Sequence, residues 1–244
     1  MEGIEICALT KRYQDVTAVD GLNLTIHAGE AMALLGINGA GKSTTIKLLC
    51  GLTPPTSGDA LLLGSSIVRQ PRKVKPLLGI SPQETAVAPN LTAQENLELI
   101  AGIYGLPHAR TAAEALLARF HLEPYAHKRA GKLSGGWQRR LSIAMALIAQ
   151  PKILFLDEPT LGLDVLARRE LWQEIHALRG TVTLVLTTHS LEEATALCDR
   201  IAILNRGRLR AVGTEQELLK LTGAKDFETA FAALAAGEGE PCAH

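Results

Sequence analysis

The stretch Gly36-Ile37-Asn38-Gly39-Ala40-Gly41-Lys42-Ser43 constrains this chain more than any other, because it follows the apolar run Ala31-Met32-Ala33-Leu34-Leu35 and fits the pattern G-x-x-x-x-G-K-[ST]. A buried strand that breaks into such a loop and resumes as a helix is a phosphate-binding loop. The glycines let the backbone turn tightly and aim successive N–H groups at phosphate oxygens, an approach that a β-carbon would obstruct. Lys42 adds a point charge for the β- and γ-phosphates, and Ser43 a hydroxyl for magnesium. The helix that starts here, expected to run to about Gly51, turns its partly positive end to the anion. The ligand class is a nucleoside triphosphate, which leaves kinase, GTPase, helicase and transport ATPase open.

With 244 residues and 47% hydrophobic content, the chain can bury a core as one large domain or a domain with a sizeable insertion. Its 25 basic and 25 acidic residues balance, so no global field draws it to nucleic acid or a lipid surface. The short basic runs Arg69 to Lys75 and Arg206 to Arg210 read as solvated faces. Cys7, Cys50, Cys198 and Cys242 form no C-x-x-C pair, which suggests neither a zinc site nor a disulfide framework and fits reduced thiols in a cytosolic protein. The start Met1-Glu2-Gly3-Ile4-Glu5 has no signal-peptide pattern. The strongly apolar stretch Ile143 to Ala149 falls far short of the roughly 20 residues that span a bilayer, so work at a membrane needs another chain.

Along the chain, Ile4 to Leu9 and Leu22 to Ile26 read as strands of a small β-layer, with Tyr13 an isolated aromatic ahead of the phosphate loop. Pro54 to Gly58 breaks the pattern, Asp59 to Leu63 is a strand, and the strand Leu77 to Ser81 stops at Pro82-Gln83. From Leu91 the period becomes helical. Thr92 to Glu95 is a capping box with Leu97, Ile100, Ala101 and Tyr104 on one face, and His108 to Phe120 is a second helix with Ala112, Ala115, Leu116 and Phe120 inward. Ser134 is a candidate N-cap for a helix to about Gln150, and Gly135 and Gly136 leave N–H groups uncovered there: a second anion site, or a plainly capped helix start.

Ile153 to Leu156 is a buried strand ending in Asp157-Glu158, where a carboxylate suits magnesium and its waters, and strand alternation would point the two carboxylates apart. Asp164 caps a helix from Val165 to Arg179, and the strand Val182 to Thr187 delivers His189 just before a capping box at Ser190 to Glu193. A hairpin at Ile201 to Val212, a helix capped by Thr214 to Glu217 and a last helix from Asp226 to Ala236 follow. The fold class is α/β: a P-loop NTPase core with a mixed central sheet, an N-terminal antiparallel β-subdomain and an inserted helical subdomain. The expected division of the single domain 1–236 is a core of residues 1–90 and 151–222, a helical block 91–150, a C-terminal helix 223–236, and a flexible tail 237–244.

Lys42 and Asp157 stand 115 positions apart, with the helical block between them, whereas small GTPases and nucleotide kinases keep loop and carboxylate closer. Here the sequence resembles the ATP-binding subunit of ABC transporters, export type, over essentially its whole length. Gly36, Asn38, Gly39, Ala40, Gly41, Lys42, Ser43 and Thr44 look like the Walker A loop, and Leu154 to Glu158 like Walker B with its catalytic glutamate. Gln83 sits where the family has its Q-loop glutamine, Asp164 its D-loop aspartate, His189 its switch histidine and Tyr13 its adenine-stacking aromatic. Leu133-Ser134-Gly135-Gly136 looks like the signature, which usually continues with glutamine where this chain has Trp137.

The resemblance implies ATP and Mg²⁺ as cofactors, with Asp157, Ser43 and Gln83 at the metal, Glu158 polarising water, and His189 sensing the γ-phosphate. It also implies head-to-tail pairing with a second nucleotide-binding domain, so that Ser134, Gly135 and Gly136 meet the ATP of the partner. It further implies a transmembrane permease subunit received near Glu84 to Leu97, no direct nucleic-acid contact, and a peripheral place on the cytoplasmic face of the cell membrane. A soluble ABC-type ATPase acting on ribosomes or DNA is the alternative. Such proteins normally carry two ATPase halves or a long coiled coil. A regulator that no longer hydrolyses is disfavoured by the intact Lys42, Asp157, Glu158 and His189.

Overall fold

The structure is a computed structural model that describes residues 2–236. The expected tail 237–244, with Cys242, lies outside the described residues. The chain divides into two compact units, one running up to Lys75 and again from Arg179 onward, the other Pro76–Leu178.

The first unit begins with a hairpin of β1 (Glu2–Tyr13) and β2 (Val16–His27). Along β2 the buried residues Leu22, Leu24 and Ile26 alternate with exposed ones, the pattern of a sheet with one face on the core. β3 (Ala31–Leu35) is buried at every position, as a central strand requires, and leads through the phosphate loop into α1 (Lys42–Leu49). β4 (Ser57–Leu62) and β5 (Ser65–Ser66) extend the hairpin into an antiparallel sheet of order β2-β1-β4-β5, and Pro71 opens the short α2 (Pro71–Val74).

The second unit contains β6 (Leu78–Ser81), α3 (Ala93–Ile103), α4 (Ala109–Arg119), α5 (Gly135–Leu147), β7 (Ile153–Asp157) and α6 (Val165–His176). β6 and β7 pair in parallel, Leu78 opposite Ile153 through Ser81 opposite Leu156. The capping box at Thr92 forms with both of its hydrogen bonds. Two expected faces are corrected. On α3 the buried residues are Ala93, Asn96, Leu97 and Ala101, while Tyr104 lies past the helix end and is exposed. Asn96 takes a core position because its amide holds the preceding turn, accepting from the Ala88 N–H and donating to the Ala88 and Thr92 carbonyls. On α4 the buried stripe is Ala113, Leu117 and then Phe120, rotated one residue from Ala112, Ala115 and Leu116. In so alanine-rich a helix, Leu117 and Phe120 decide which side faces in.

The chain then returns to the first unit with β8 (Thr183–Thr188), α7 (Leu191–Leu197), β9 (Arg200–Asn205), β10 (Arg208–Gly213), α8 (Glu215–Thr222) and α9 (Phe227–Ala236). Its strands order β10-β9-β3-β8, with β9, β3 and β8 parallel and β10 antiparallel, so the sheet is mixed as expected. At Ser190 only half of the expected capping box forms. Ser190 Oγ accepts from the Glu193 N–H, but the Ser190 N–H donates to Thr188 Oγ1 instead of to Glu193. Among the described residues, no helix is long and apolar enough to cross a membrane.

Candidate functional site

In the first unit, Leu35 and Thr188 are register partners at the carboxyl ends of the parallel strands β3 and β8. Gly36 and His189 immediately follow them, so loop and histidine leave one sheet edge from neighbouring strands that lie roughly 5 Å apart. The loop itself is shaped by close backbone approach. A β-carbon on Gly36 would collide with the Leu204 carbonyl, and one on Gly41 with the Ala18 carbonyl. Gly39 and Gly41 also hold φ of +82° and +99°, which side-chain-bearing residues rarely adopt. The β9–β10 turn braces the loop from outside, its Gly207 N–H donating to the Ala40 carbonyl at 3.1 Å.

Lys42 is only 6% exposed and curls back over the loop, its Nζ donating to the Gly36 carbonyl at 2.6 Å and the Ile37 carbonyl at 3.3 Å. An ammonium held there keeps its charge on the carbonyls of the loop itself. Asn38 and Gly39 are exposed, and Ser43 and Thr44 are half-buried in the first turn of α1. Thr45 Oγ1 donates to the Gly41 carbonyl, which fixes the loop-to-helix junction. Gly41, the N-cap of α1, leaves that helix with no side-chain cap. His189 is exposed between the buried Thr188 and the cap Ser190. Tyr13 closes β1 as a half-exposed ring with Lys11 Nζ 4.9 Å from its centre, on the hairpin that also supplies Ala18.

The second unit repeats the device. Ser81 and Leu156 are register partners on β6 and β7, so Pro82-Gln83 and Asp157-Glu158 leave one edge together. Asp157 and Glu158 are each 7% exposed. Glu158 lies beyond the strand, at φ +49°, so the strand alternation expected to point the two carboxylates apart does not extend to it. A glutamate held in a conformation that costs on the order of 1 kcal/mol is the kind of local strain that gathers at functional sites.

Gln83 is exposed, and its carbonyl, with that of Pro82, accepts from the Arg139 guanidinium. Ser134 is the N-cap of α5 but makes no side-chain cap bond, and Ser134 and Gly135 are exposed. Asp164 does cap, accepting from the Leu166 and Ala167 N–H groups at 3.0 and 2.9 Å. A β-carbon on Gly136 would touch Leu163 and Ala167, so the start of α5 lies against the Asp164 turn. Trp137 packs against Tyr125, ring centres 4.6 Å apart, with the Arg140 guanidinium 4.7 Å from its own centre.

Sequence reasoning took Arg139 and Arg140 of α5 only as a mark of the export type and missed that both are buried. Arg140 is paired with Glu174 and with Glu170, the latter at 2.6 Å, so α5 and α6 are joined by charge. Burial pushes the Glu174 carboxyl up to about 7, against the pull of Arg140 and helped by the neighbouring charge of Glu170. The available signal was position: Arg139 and Arg140 follow the signature in a stretch whose next turns are apolar, which places long cations where the helix faces its own unit.

Residues 19–161 match the family described as "ABC transporter". The chain belongs to the ABC transporter family. It is 45% identical over 215 residues to human "Phospholipid-transporting ATPase ABCA7", covering 86% of this chain and 10% of that protein. It is 42% identical over 219 residues to the Escherichia coli "Probable multidrug ABC transporter ATP-binding protein YbhF", covering 88% of this chain and 38% of the relative. The chain thus spans only a tenth to about two fifths of the length of these curated relatives. Its fold superposes on a dimeric ATP-binding cassette solved in a post-hydrolysis state with ADP and Pi, at a TM-score of 0.79 and 28% identity, covering 86% of this chain and 98% of that one. The P-loop α/β cassette fold expected from sequence is therefore the fold of this chain.

Proposed function

We propose that this chain is the ATP-binding and ATP-hydrolysing subunit that energises movement of a substrate across a membrane through a separate transmembrane permease, in the export direction. The observation that carries the reading is the shared edge of β3 and β8, where a glycine-built loop with an enclosed lysine and an exposed histidine leave neighbouring strands. The export direction is supported by the likeness of this chain to a solved bacterial Atm1-family ABC exporter with ATP bound, at a TM-score of 0.82 and 27% identity, covering 97% of this chain and 42% of that one.

In this reading Gly36, Asn38, Gly39, Ala40, Gly41, Lys42 and Thr44 hold the phosphates, and Tyr13 stacks on the adenine. Positioning and charge neutralisation carry most of phosphoryl transfer, so the chain's task is to hold and to screen. Among the described residues, no cluster of three or more His, Cys, Asp or Glu could hold a metal ion. The donor set instead suits magnesium that arrives with the nucleotide: the hydroxyl of Ser43, the carboxylate of Asp157 and the amide oxygen of Gln83 are hard oxygen ligands. When bound, that ion neutralises phosphate charge. Glu158, buried and acceptor-only when ionised, orients and polarises the attacking water, while His189 senses the γ-phosphate.

The uncapped start of α5 completes the reading. A second cassette packed head to tail, in keeping with the dimeric state of the solved cassette, would present its ATP to Ser134, Gly135 and Gly136, with Asp164 at the shared boundary. The cassette then works as a P-loop core of residues 1–90 and 151–222 with a helical subdomain 91–150 and a C-terminal helix 223–236, peripheral on the cytoplasmic face of the membrane. Hydrolysis measured against protein concentration tests this. Specific activity should fall on dilution as pairs dissociate. A specific activity that stays constant down to a monodisperse monomer defeats the two-chain site. Co-purification with a multi-spanning membrane protein tests the permease. Recovery with ribosomes or DNA instead would favour the soluble alternative.

A further inference from the structure

We propose that Arg139 is a positioning residue that straps the Gln83 loop to the signature helix, so that Gln83 and Ser134 move as one body; the kinetic part of this inference rests on the ATPase reading above. The segment from Pro82 to Val87 has no regular secondary structure, and Gln83 itself is exposed. What fixes it is a side chain from α5. Arg139 is 4% exposed, and its planar fork donates through two nitrogens to two successive carbonyls, that of Pro82 at 2.6 Å and that of Gln83. A guanidinium presents paired donors at fixed spacing, which a lysine ammonium cannot. Burying so long a cation on a loop makes sense only where the loop's place matters.

Two further contacts fix α5 along the strand that feeds this loop, and Gln138 adds a longer one to the loop itself. Gly79 of β6 sits so close to α5 that a β-carbon there would collide with the Ala146 carbonyl. Ser81 and Ser142 share a buried hydroxyl–hydroxyl bond of 2.9 Å. Gln138 accepts from Thr85 Oγ1 at 3.5 Å through one end of its amide and donates to the Leu133 carbonyl at 3.0 Å through the other. Leu133 immediately precedes Ser134. A displacement imposed on Gln83, by the bound ion or by a helix of a membrane partner, therefore reaches the start of α5 through bonded atoms and without a hinge between them.

The test compares the whole chain with its Arg139→Gln and Arg139→Lys variants by hydrogen exchange at the amides of Gln83 to Val87, by kcat and KM for ATP, and by titration with a fluorescent ATP analogue. Arg139→Gln should speed exchange in that segment by about tenfold and lower kcat by about tenfold, the scale of a misplaced catalytic group. Analogue affinity should fall much less than kcat, because the proposed grip on the phosphates is that of Lys42 and its loop. Arg139→Lys should fall between, since one ammonium reaches one carbonyl. If Arg139→Gln does not fold, Arg139→Lys carries the same exchange test. Exchange in Gln83 to Val87 identical to wild type overturns the strap even if ATP hydrolysis stands. Faster exchange in a protein that hydrolyses no ATP keeps the strap and sinks the ATPase reading.

Discussion

At the edge of β3 and β8 the chain prepares to bind with its backbone, whereas at the edge of β6 and β7 it presents side chains. The first edge depends on what is missing: no β-carbon at Gly36 or Gly41, no side-chain cap on α1, and one lysine folded over the loop carbonyls. The second depends on what is added: two buried carboxylates, one of them in a left-handed turn, and an amide loop held by a buried arginine. Backbone N–H groups grip an anion whatever stage a reaction has reached. Carboxylates at 7% exposure can discriminate among protonation and charge states, because low dielectric magnifies their interactions. On the proposed reading the first edge holds the nucleotide and the second acts on it, so substitutions at the two should fail in different ways.

The largest difference is expected at the second edge. Glu158→Gln keeps the shape and removes the charge, so turnover should drop by roughly 10² to 10⁴, the scale of a lost general base. Affinity for a fluorescent ATP analogue should stay near wild type. Steady-state hydrolysis unchanged in this variant would end the assignment of Glu158. At the first edge the failure should invert. Lys42→Ala removes a charge-assisted contact worth about 1.5 to 3 kcal/mol, so analogue affinity should weaken by roughly ten- to 150-fold, and hydrolysis should fail mainly because little nucleotide is bound. A Lys42→Ala protein with native affinity and lost turnover would erase the contrast between the two edges.

The first edge was also the more legible in sequence, for the same physical reason. Glycine spacing, an apolar run and a lysine are local signals, and a loop that must bring its backbone close to a ligand writes that need into consecutive letters. Asp164, Thr92 and Thr214 were readable likewise, because capping is an affair of three or four neighbouring residues, and all three cap as expected. The box at Ser190 failed by half because Thr188 offered its N–H a nearer acceptor. What the sequence hid was set by distant packing. Nothing around Glu158 marks a positive φ, nothing in α4 announces that Leu117 outranks Leu116, and Arg139 finds Pro82 and Gln83 across more than fifty positions.

The smallest expected effect separates the two units by pH. Glu174 sits in a cleft of about 620 Å³ in the second unit, its side chain 8% exposed. It faces Arg140 from α5 and Glu170 from its own helix, and Arg119 at the end of α4 and His121 just after it line the same cleft. Its carboxyl rises from 4.5 to about 7 through burial. Between those values the folded chain keeps a proton that the unfolded chain has released, so the folded state binds more protons and stability must fall as pH rises through the window. The stabilisation is complete below the unfolded value and gone above the folded one. That value already includes the pull of Arg140, and solvent in the cleft screens the charges, so the contribution is on the order of 1 kcal/mol and smaller than the full shift would give. Glu174→Gln removes the titration, so the difference in urea midpoint between variant and wild type should change steadily from pH 5 to pH 8, while analogue affinity at the Lys42 loop follows the same pH course in both. Midpoint curves that run parallel across that range would show that Arg140 keeps Glu174 ionised throughout, and that the charge between α5 and α6 is a fixed pair and not a titrating one.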